Sequence, residues 1–245
     1  MSVAASWRSG RRGRRQDRET QDGAARDGGA EIAVTEVVKS FGPIQALRDV
    51  SMSVRASEFL TINGPSGSGK STLLNLIGSL EPPDSGSITV GGVPVPEPRH
   101  AVDFRRQMVG FVFQENLLLP YLTAQANIEA ALIPTHTSHR ERQERSRELL
   151  AEVGLVDRAE HLPSELSGGQ RQAVAIARAL ANNPRVLLAD EPTGSLDSAS
   201  ARRALDLLAS LRDHHGMTVI VVSHDPAVAD RADRVVHLVD GRVVT

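Results

Sequence analysis

Phe59-Leu60-Thr61-Ile62-Asn63-Gly64-Pro65-Ser66-Gly67-Ser68-Gly69-Lys70-Ser71-Thr72 is the stretch on which the reading of the whole chain turns. Residues 59–62 are a short apolar run, and a helix is predicted to start at Lys70 and run to Leu80. Between them Gly64, Gly67 and Gly69 crowd a loop that fits G-x-x-x-x-G-K-[ST] over residues 64–71. A strand, a glycine-rich loop and a helix in direct succession make a phosphate cradle. The glycines let the backbone curl so that several N–H groups face phosphate oxygens, and the helix adds the positive end of its dipole. Lys70 supplies a mobile cation for the β- and γ-phosphates, and the Ser71 hydroxyl is suited to ligate Mg²⁺. The pattern alone specifies a nucleoside triphosphate. Kinases, GTPases, helicases and transporters share it, and the guanine-specific N-K-x-D is absent from the chain.

Further along, a second apolar run ends in two acids: Val186-Leu187-Leu188-Ala189-Asp190-Glu191. Such a run fits a central parallel strand buried on both faces, which would deliver Asp190 beside the phosphate loop. Asp190 is the candidate to hold Mg²⁺. Glu191 projects differently and is the candidate to polarise an attacking water, and in-line hydrolysis needs those two roles separated. The competing reading is an acidic turn before Pro192. Residues 219–222 form another apolar run followed by Ser223 and His224, so His224 is expected to reach the γ-phosphate. Gln114 ends the strand predicted over 109–113, where a neutral amide suits Mg²⁺ coordination and sensing of the γ-phosphate. His136, His139, His214 and His215 lack such a context and read as solvated.

The rest of the chain fits one α/β unit. Its 245 residues suffice for a domain that buries roughly 70–75% of the unfolded chain's surface. Aromatic residues are only 3%, so the core has to be built from Leu, Val, Ile and Ala. A formal net charge of −2 provides no global field for nucleic acid, which is not expected as a partner. The lack of cysteine removes disulfides, thiolate metal sites and thiol chemistry, and agrees with a cytosolic location. No run approaches the roughly 18–20 apolar residues of a membrane span, so work at a membrane would need another subunit to cross it. Residues 1–30, rich in Arg, Gly, Asp and Ala, read as a disordered tail, or else as a basic arm for anionic lipid or RNA. The folded part is expected from Glu31. Short strands are predicted near 32–38, 46–52 and 87–90, an exposed amphipathic helix over 140–153, a helix over 168–181 and a terminal hairpin turning at Asp240-Gly241. Strands alternating with helices imply a mostly parallel sheet.

Leu166-Ser167-Gly168-Gly169-Gln170 widens the reading. Physically it is a short nest followed by a helix N-terminus, a second anion-binding surface. A second surface on a chain that already has a phosphate loop suggests a phosphate shared between two chains. The pentapeptide is the signature of the ABC ATPases, and the chain strongly resembles that family. The phosphate loop, Gln114, the signature, Asp190-Glu191, Ser195-Leu196-Asp197 and His224 occur in that order over residues 32–245.

The resemblance implies an α/β, RecA-like P-loop NTPase fold. Its mostly parallel sheet would carry an N-terminal antiparallel β subdomain and an inserted α-helical subdomain at about 114–166. It implies an ATPase using ATP and Mg²⁺, paired head to tail with a second ATPase subunit in a homodimer or heterodimer. This pair would drive an integral membrane permease from the cytoplasmic face of the cell membrane. Each ATP would lie between Gly64, Pro65, Ser66, Gly67, Ser68, Gly69, Lys70, Ser71 and Thr72 of one copy and Ser167, Gly168, Gly169 and Gln170 of the other. Asp197 would lie at the dimer seam and Phe41 would stack on adenine, a core Phe being the alternative. Leu117, Leu118, Leu119 and Tyr121 would receive a cytoplasmic helix of the permease, with plain core packing as the alternative. The subgroup it most resembles serves lipoprotein-releasing, macrolide-exporting and cell-division-type permeases. Ser57 (where Gly is usual), Asn63, Ala173 and Ser195 depart from the common pattern, and none of these changes removes a catalytic group. The rival is a soluble ABC-type ATPase acting on ribosomes or DNA; those generally carry two cassettes or a long coiled-coil insertion.

Overall fold

The computed structural model describes residues 28–135 and 137–244; the tail reading of the residues before Gly28 and the solvated reading of His136 lie outside them. An antiparallel hairpin comes first, β1 (Ile32–Phe41) against β2 (Ile44–Val54). Ile32 and Val34 alternate inward, as a half-buried strand requires. Glu36, at φ 51, then resets the phase in a bulge so that Val37 also enters the core. After β3 (Phe59–Asn63) and α1 (Lys70–Ile77), β4 (Ser85–Val90) and the short β5 (Val93–Pro94) complete an antiparallel sheet in the order β2-β1-β4-β5.

The second sheet holds the expected parallel core. α2 (Val102–Met108) leads into β6 (Val109–Val112). Between β6 and α5 (Gly168–Ala179) the described residues form α3 (Ala124–Leu132), α4 (His139–Glu152) and short 3₁₀ turns, with no strand. Then come β7 (Val186–Asp190), α6 (Ser198–His215), β8 (Thr218–Val222), α7 (Pro226–Ala229), β9 (Arg234–Val239) and β10 (Arg242–Val244). The strand order is β10-β9-β3-β8-β7-β6, parallel except for β10, which closes the predicted hairpin at Asp240-Gly241.

Alternate residues of the central strands serve two cores. Leu188, Ile220 and Val222 face α1 and the antiparallel sheet. Leu187, Ala189, Val219 and Val221 face the side packed by α3, α4, α5 and α6. With both faces covered, β7 is apolar from Val186 to Ala189 and β8 from Val219 to Val222.

Several boundaries differ from the reading of the sequence; the strand predicted over 109–113 ends at Val112, so that Gln114 lies in the turn beyond it. The helix predicted to Leu80 stops at Ile77, where Gly78 is the C-cap and Ser79 turns left-handed at φ 54; a side chain at 78 is excluded, since a Cβ there would lie 1.9 Å from the Phe111 ring. The helix predicted to residue 181 stops at Ala179. Residues 28–30, assigned by composition to the tail, are packed into the fold. Gly29 N–H donates to Gly216 O at 2.6 Å, and the Thr218 hydroxyl donates to Ala30 O at 2.8 Å. Only glycine fits at position 29, where a Cβ would sit 2.5 Å from Ser57 N.

Candidate functional site

β3, β7 and β8 run parallel, so their carboxyl ends bring the loop after Asn63, the Asp190-Glu191 pair and the Ser223-His224 pair to one edge. The phosphate loop is pressed against its neighbours at two glycines. A Cβ on Gly64 would lie 2.0 Å from Leu238 O, and one on Gly69, at φ 100, would lie 2.4 Å from Ala46 O. Lys70 is 7% exposed, and its ammonium donates to Gly64 O at 2.8 Å and Pro65 O at 2.9 Å. The Ser71 hydroxyl donates to Asp190 Oδ1 at 3.0 Å. Burial pushes the Asp190 carboxyl above its ordinary value. The Ser71 bond opposes that, the Glu191 charge adds to it and the Lys70 charge opposes it.

Glu191 adopts a left-handed backbone, φ 45, while its N–H donates to Val222 O at 2.9 Å. Glu191 Oε1 accepts from His224 Nδ1 at 2.7 Å, and Oε2 accepts from the Ser223 hydroxyl at 3.2 Å. The Glu191 side chain is 15% exposed and that of His224 73%. Gln114 faces the turn after Glu191, with its Nε2 3.4 Å from the point a Cβ on Gly194 would occupy. A cavity of about 540 Å³ is lined by Ser66, Gly67, Gly69, Lys70, Ser71, Thr72, Gln114, Glu191 and His224, together with Ala46. Asp190 joins it through Ser71.

The signature lies elsewhere. Ser167 caps α5: its hydroxyl accepts from Gln170 N at 3.3 Å, and Gln170 Oε1 accepts from Ser167 N at 2.8 Å. Ser167, Gly169 and Gln170 line a second cavity of about 590 Å³ with Glu152, Ser200 and Arg203. None of these residues lines the phosphate-loop cavity of the same chain. Asp197 caps α6, accepting from Ala199 N and Ser200 N at 3.0 Å each, and the bonds from Ser200 hold its carboxyl below the usual range.

Phe41 is 45% exposed, with the Lys39 ammonium 5.2 Å from its ring centroid, so it is no core residue. Tyr121 at 92%, Leu117 at 54% and Leu119 at 49% exposure are not core residues either. Leu118 does pack against the core.

Three contributors escaped the sequence reading. Ser223 is a direct partner of Glu191. Ala46 supplies the carbonyl that meets Gly69. Arg178, on α5, donates to Leu117 O at 2.6 Å and Asn116 O at 2.7 Å, tying the signature helix to the segment after Gln114. Burial lowers the pKa of that guanidinium. An arginine among small residues on a packed helix was the available signal. Two of the four departures from the family pattern also find reasons. Ser57 stands at φ 59, a glycine-favouring angle, held by its hydroxyl bond to Gly216 O. Asn63 Oδ1 takes up the Gly64 N–H at 2.6 Å.

Residues 47–194 match the family described as ABC transporter. The lipoprotein-releasing system ATP-binding protein LolD of Bacteroides thetaiotaomicron is 44% identical over 214 residues, covering 86% of this chain and 98% of that protein. The macrolide export ATP-binding/permease protein MacB of Salmonella typhimurium is 46% identical over 203 residues, covering 82% of this chain and 31% of that protein. Among solved structures, the dimeric post-hydrolysis state of the ATP-binding cassette MJ0796 bound to ADP and Pi is 42% identical. It superposes with a TM-score of 0.79, covering 87% of this chain and 97% of that one.

Proposed function

The chain belongs to the ABC transporter family, and we propose that it is the ATP-hydrolysing subunit of a transport complex in which a separate chain forms the membrane permease. The observation that carries this reading is the single cavity in which the phosphate loop, Gln114, Glu191 and His224 converge. No helix among the described residues is long and apolar enough to cross a membrane; in the proposed complex this subunit acts at the cytoplasmic face of the permease. The relatives support it as well. LolD, named for ATP binding alone, is matched over 98% of its length, whereas MacB, named for both ATP binding and permease, is matched over 31%. Export, or transport of the lipoprotein, peptide or drug type, is the corresponding substrate proposal.

The residues divide the work. Lys70 exchanges its two loop carbonyls for β- and γ-phosphate oxygens, and the loop N–H groups hold the rest of the phosphate chain. Ser71, Asp190 and Gln114 offer a hydroxyl, a carboxylate and an amide oxygen, a hard donor set that suits Mg²⁺. The raised pKa of Asp190 fits as well, marking a partly buried carboxylate short of positive charge. Bound there, Mg²⁺ would neutralise charge on the phosphates. Glu191 takes a proton from the attacking water, and His224 steadies its carboxylate through Nδ1 and presents Nε2 to the γ-phosphate. Phe41, exposed at the end of β1, stacks on adenine. Residues 167–170 lie outside the cavity of their own chain, so a second copy supplies them, with Asp197 at the seam. The ATP-binding cassette MJ0796 was solved as a dimer, which supports a paired arrangement.

Replacing Glu191 by Gln preserves ATP binding, slows hydrolysis by roughly 10²–10⁴-fold and accumulates an ATP-bound dimer in size-exclusion chromatography. Lys70→Ala weakens nucleotide binding itself. Wild-type turnover by Glu191→Gln would remove Glu191 from the role of base. Tagged Glu191→Gln recovered from detergent-solubilised membranes with ATP and Mg²⁺ brings down a multi-span membrane protein; recovery of ribosomal proteins or nucleic acid instead overturns the transport assignment.

A further inference from the structure

We propose that Glu152, His214 and His215 form a binding site for a divalent transition metal of the zinc type, separate from the nucleotide cavity. Glu152 is the last residue of α4, and the two histidines end α6. One ligand atom from each lies within 4.8 Å of the others. His215 Nε2 donates to Glu152 Oε2 at 2.7 Å, and the His214 ring meets the His215 ring edge-on, with centroids 4.7 Å apart. An ordinary hydrogen bond between His215 and Glu152 has no use for His214. The convergence of a second imidazole is what a metal would exploit.

The chemistry selects the ion. Two imidazoles and one carboxylate suit Zn²⁺ and its neighbours, whereas Mg²⁺ prefers oxygen donors. Ligands about 2.1 Å from a tetrahedral ion stand about 3.4 Å from one another, so ligand atoms now within 4.8 Å of one another, with the His215–Glu152 pair at 2.7 Å, need to shift by at most about 1.4 Å, with water in the fourth position. The C-terminal end of an 18-residue helix adds its negative dipole end beneath the cation, and Gly216 at φ 63 ends the helix there.

The opposing charge nearby is Arg145, whose Nη1 is 3.9 Å from Glu152 Oε1. It sits on the oxygen that His215 does not use, and its guanidinium is also bound to Asn183 Oδ1 and Glu148. Oε2 is therefore contacted by His215 and not by Arg145, and a metal would take the place of that His215–Glu152 hydrogen bond. An ion held there would staple α4, from the helical insertion, to α6, which packs on the central sheet. Glu152 also lines the cavity that contains Ser167, Gly169 and Gln170.

Calorimetric titration of the metal-stripped, nucleotide-free full chain with Zn²⁺ tests this. Wild type and Asp190→Asn each take up one Zn²⁺ per chain that excess Mg²⁺ does not displace. His214→Ala, His215→Ala and Glu152→Gln each weaken that binding roughly tenfold or more while retaining the wild-type circular dichroism spectrum. No stoichiometric uptake by wild type overturns the proposal. So does loss on Asp190→Asn, which would put the ion in the nucleotide cavity. Unchanged binding in His214→Ala refutes the three-ligand site, and His214 is exposed enough that this variant tests the site without risk to the fold.

Discussion

Asp190 and Glu191 are adjacent in sequence but held in opposite ways. Glu191 is satisfied by His224 and Ser223, whereas Asp190 has one hydroxyl donor and a pKa raised chiefly by burial. A carboxyl whose folded pKa exceeds its ordinary 3.8 favours folding most below that pH, and the advantage is lost as pH rises through the folded value. At pH 7 the nucleotide-free protein is therefore destabilised by this ionised group. Asp190→Asn keeps an acceptor for Ser71 and removes the charge. It should raise the melting temperature at pH 7, with the gain vanishing below pH 3.8, and abolish Mg²⁺-dependent hydrolysis. A lower melting temperature at pH 7 would contradict the account. Each of these side chains could be read from its place at the end of an apolar run. The Glu191–His224 bond could not, since it depends on β7 lying beside β8 in the register that sets Asp190 against Val222.

Helix starts show how far local signals carry. α4 and α5 both begin with a serine capping box, at Ser138 with Glu141 and at Ser167 with Gln170. Replacing either serine by alanine removes a cap worth about 1 kcal/mol. Urea denaturation should show similar losses for Ser138→Ala and Ser167→Ala, while only Ser167→Ala should also lower ATP turnover, because the proposed function puts residue 167, and not residue 138, at a partner's nucleotide. Equal turnover in the two variants would reduce Ser167 to a cap. The end of α1 illustrates what local pattern misses. Ser79 donates to Pro96 O and its carbonyl accepts from Arg105 at 2.9 Å, while Phe111 occupies the space above Gly78. Those contacts come from residues 17 to 33 positions downstream; inside 70–80 only Gly78, the glycine at the C-cap, announces the stop.

Across the whole molecule, alternation of strands and helices announced a parallel core, but the strand order did not follow from it. β3 sits between β8 and β9, an arrangement made by contacts over more than 150 residues. The join between the two sheets was equally hidden. Glu58, with a side chain 1% exposed, accepts from Arg234 Nε of β9 at 2.7 Å and from Arg55 N at 2.7 Å, and Arg234 also donates to Ser53 O of β2. One arginine therefore connects the parallel sheet to the antiparallel one through a buried acid. Burial pushes the Glu58 carboxyl up, but the bonds from Arg234 and Arg55, with both positive charges, outweigh it and hold the pKa below 4.5. A depressed carboxylate contributes stability that is present above its unfolded value and lost as pH falls through the folded one. Glu58→Gln should therefore destabilise the protein by roughly 2 kcal/mol at pH 7, a modest figure for a charged hydrogen-bonded pair because Arg234 keeps 39% of its side chain exposed. The difference between variant and wild type should narrow as pH drops below 4.5. Urea midpoints measured at neutral and acid pH decide it: a gap that stays constant with pH would mean that Glu58 acts through packing, and that its charge does not hold the two sheets together.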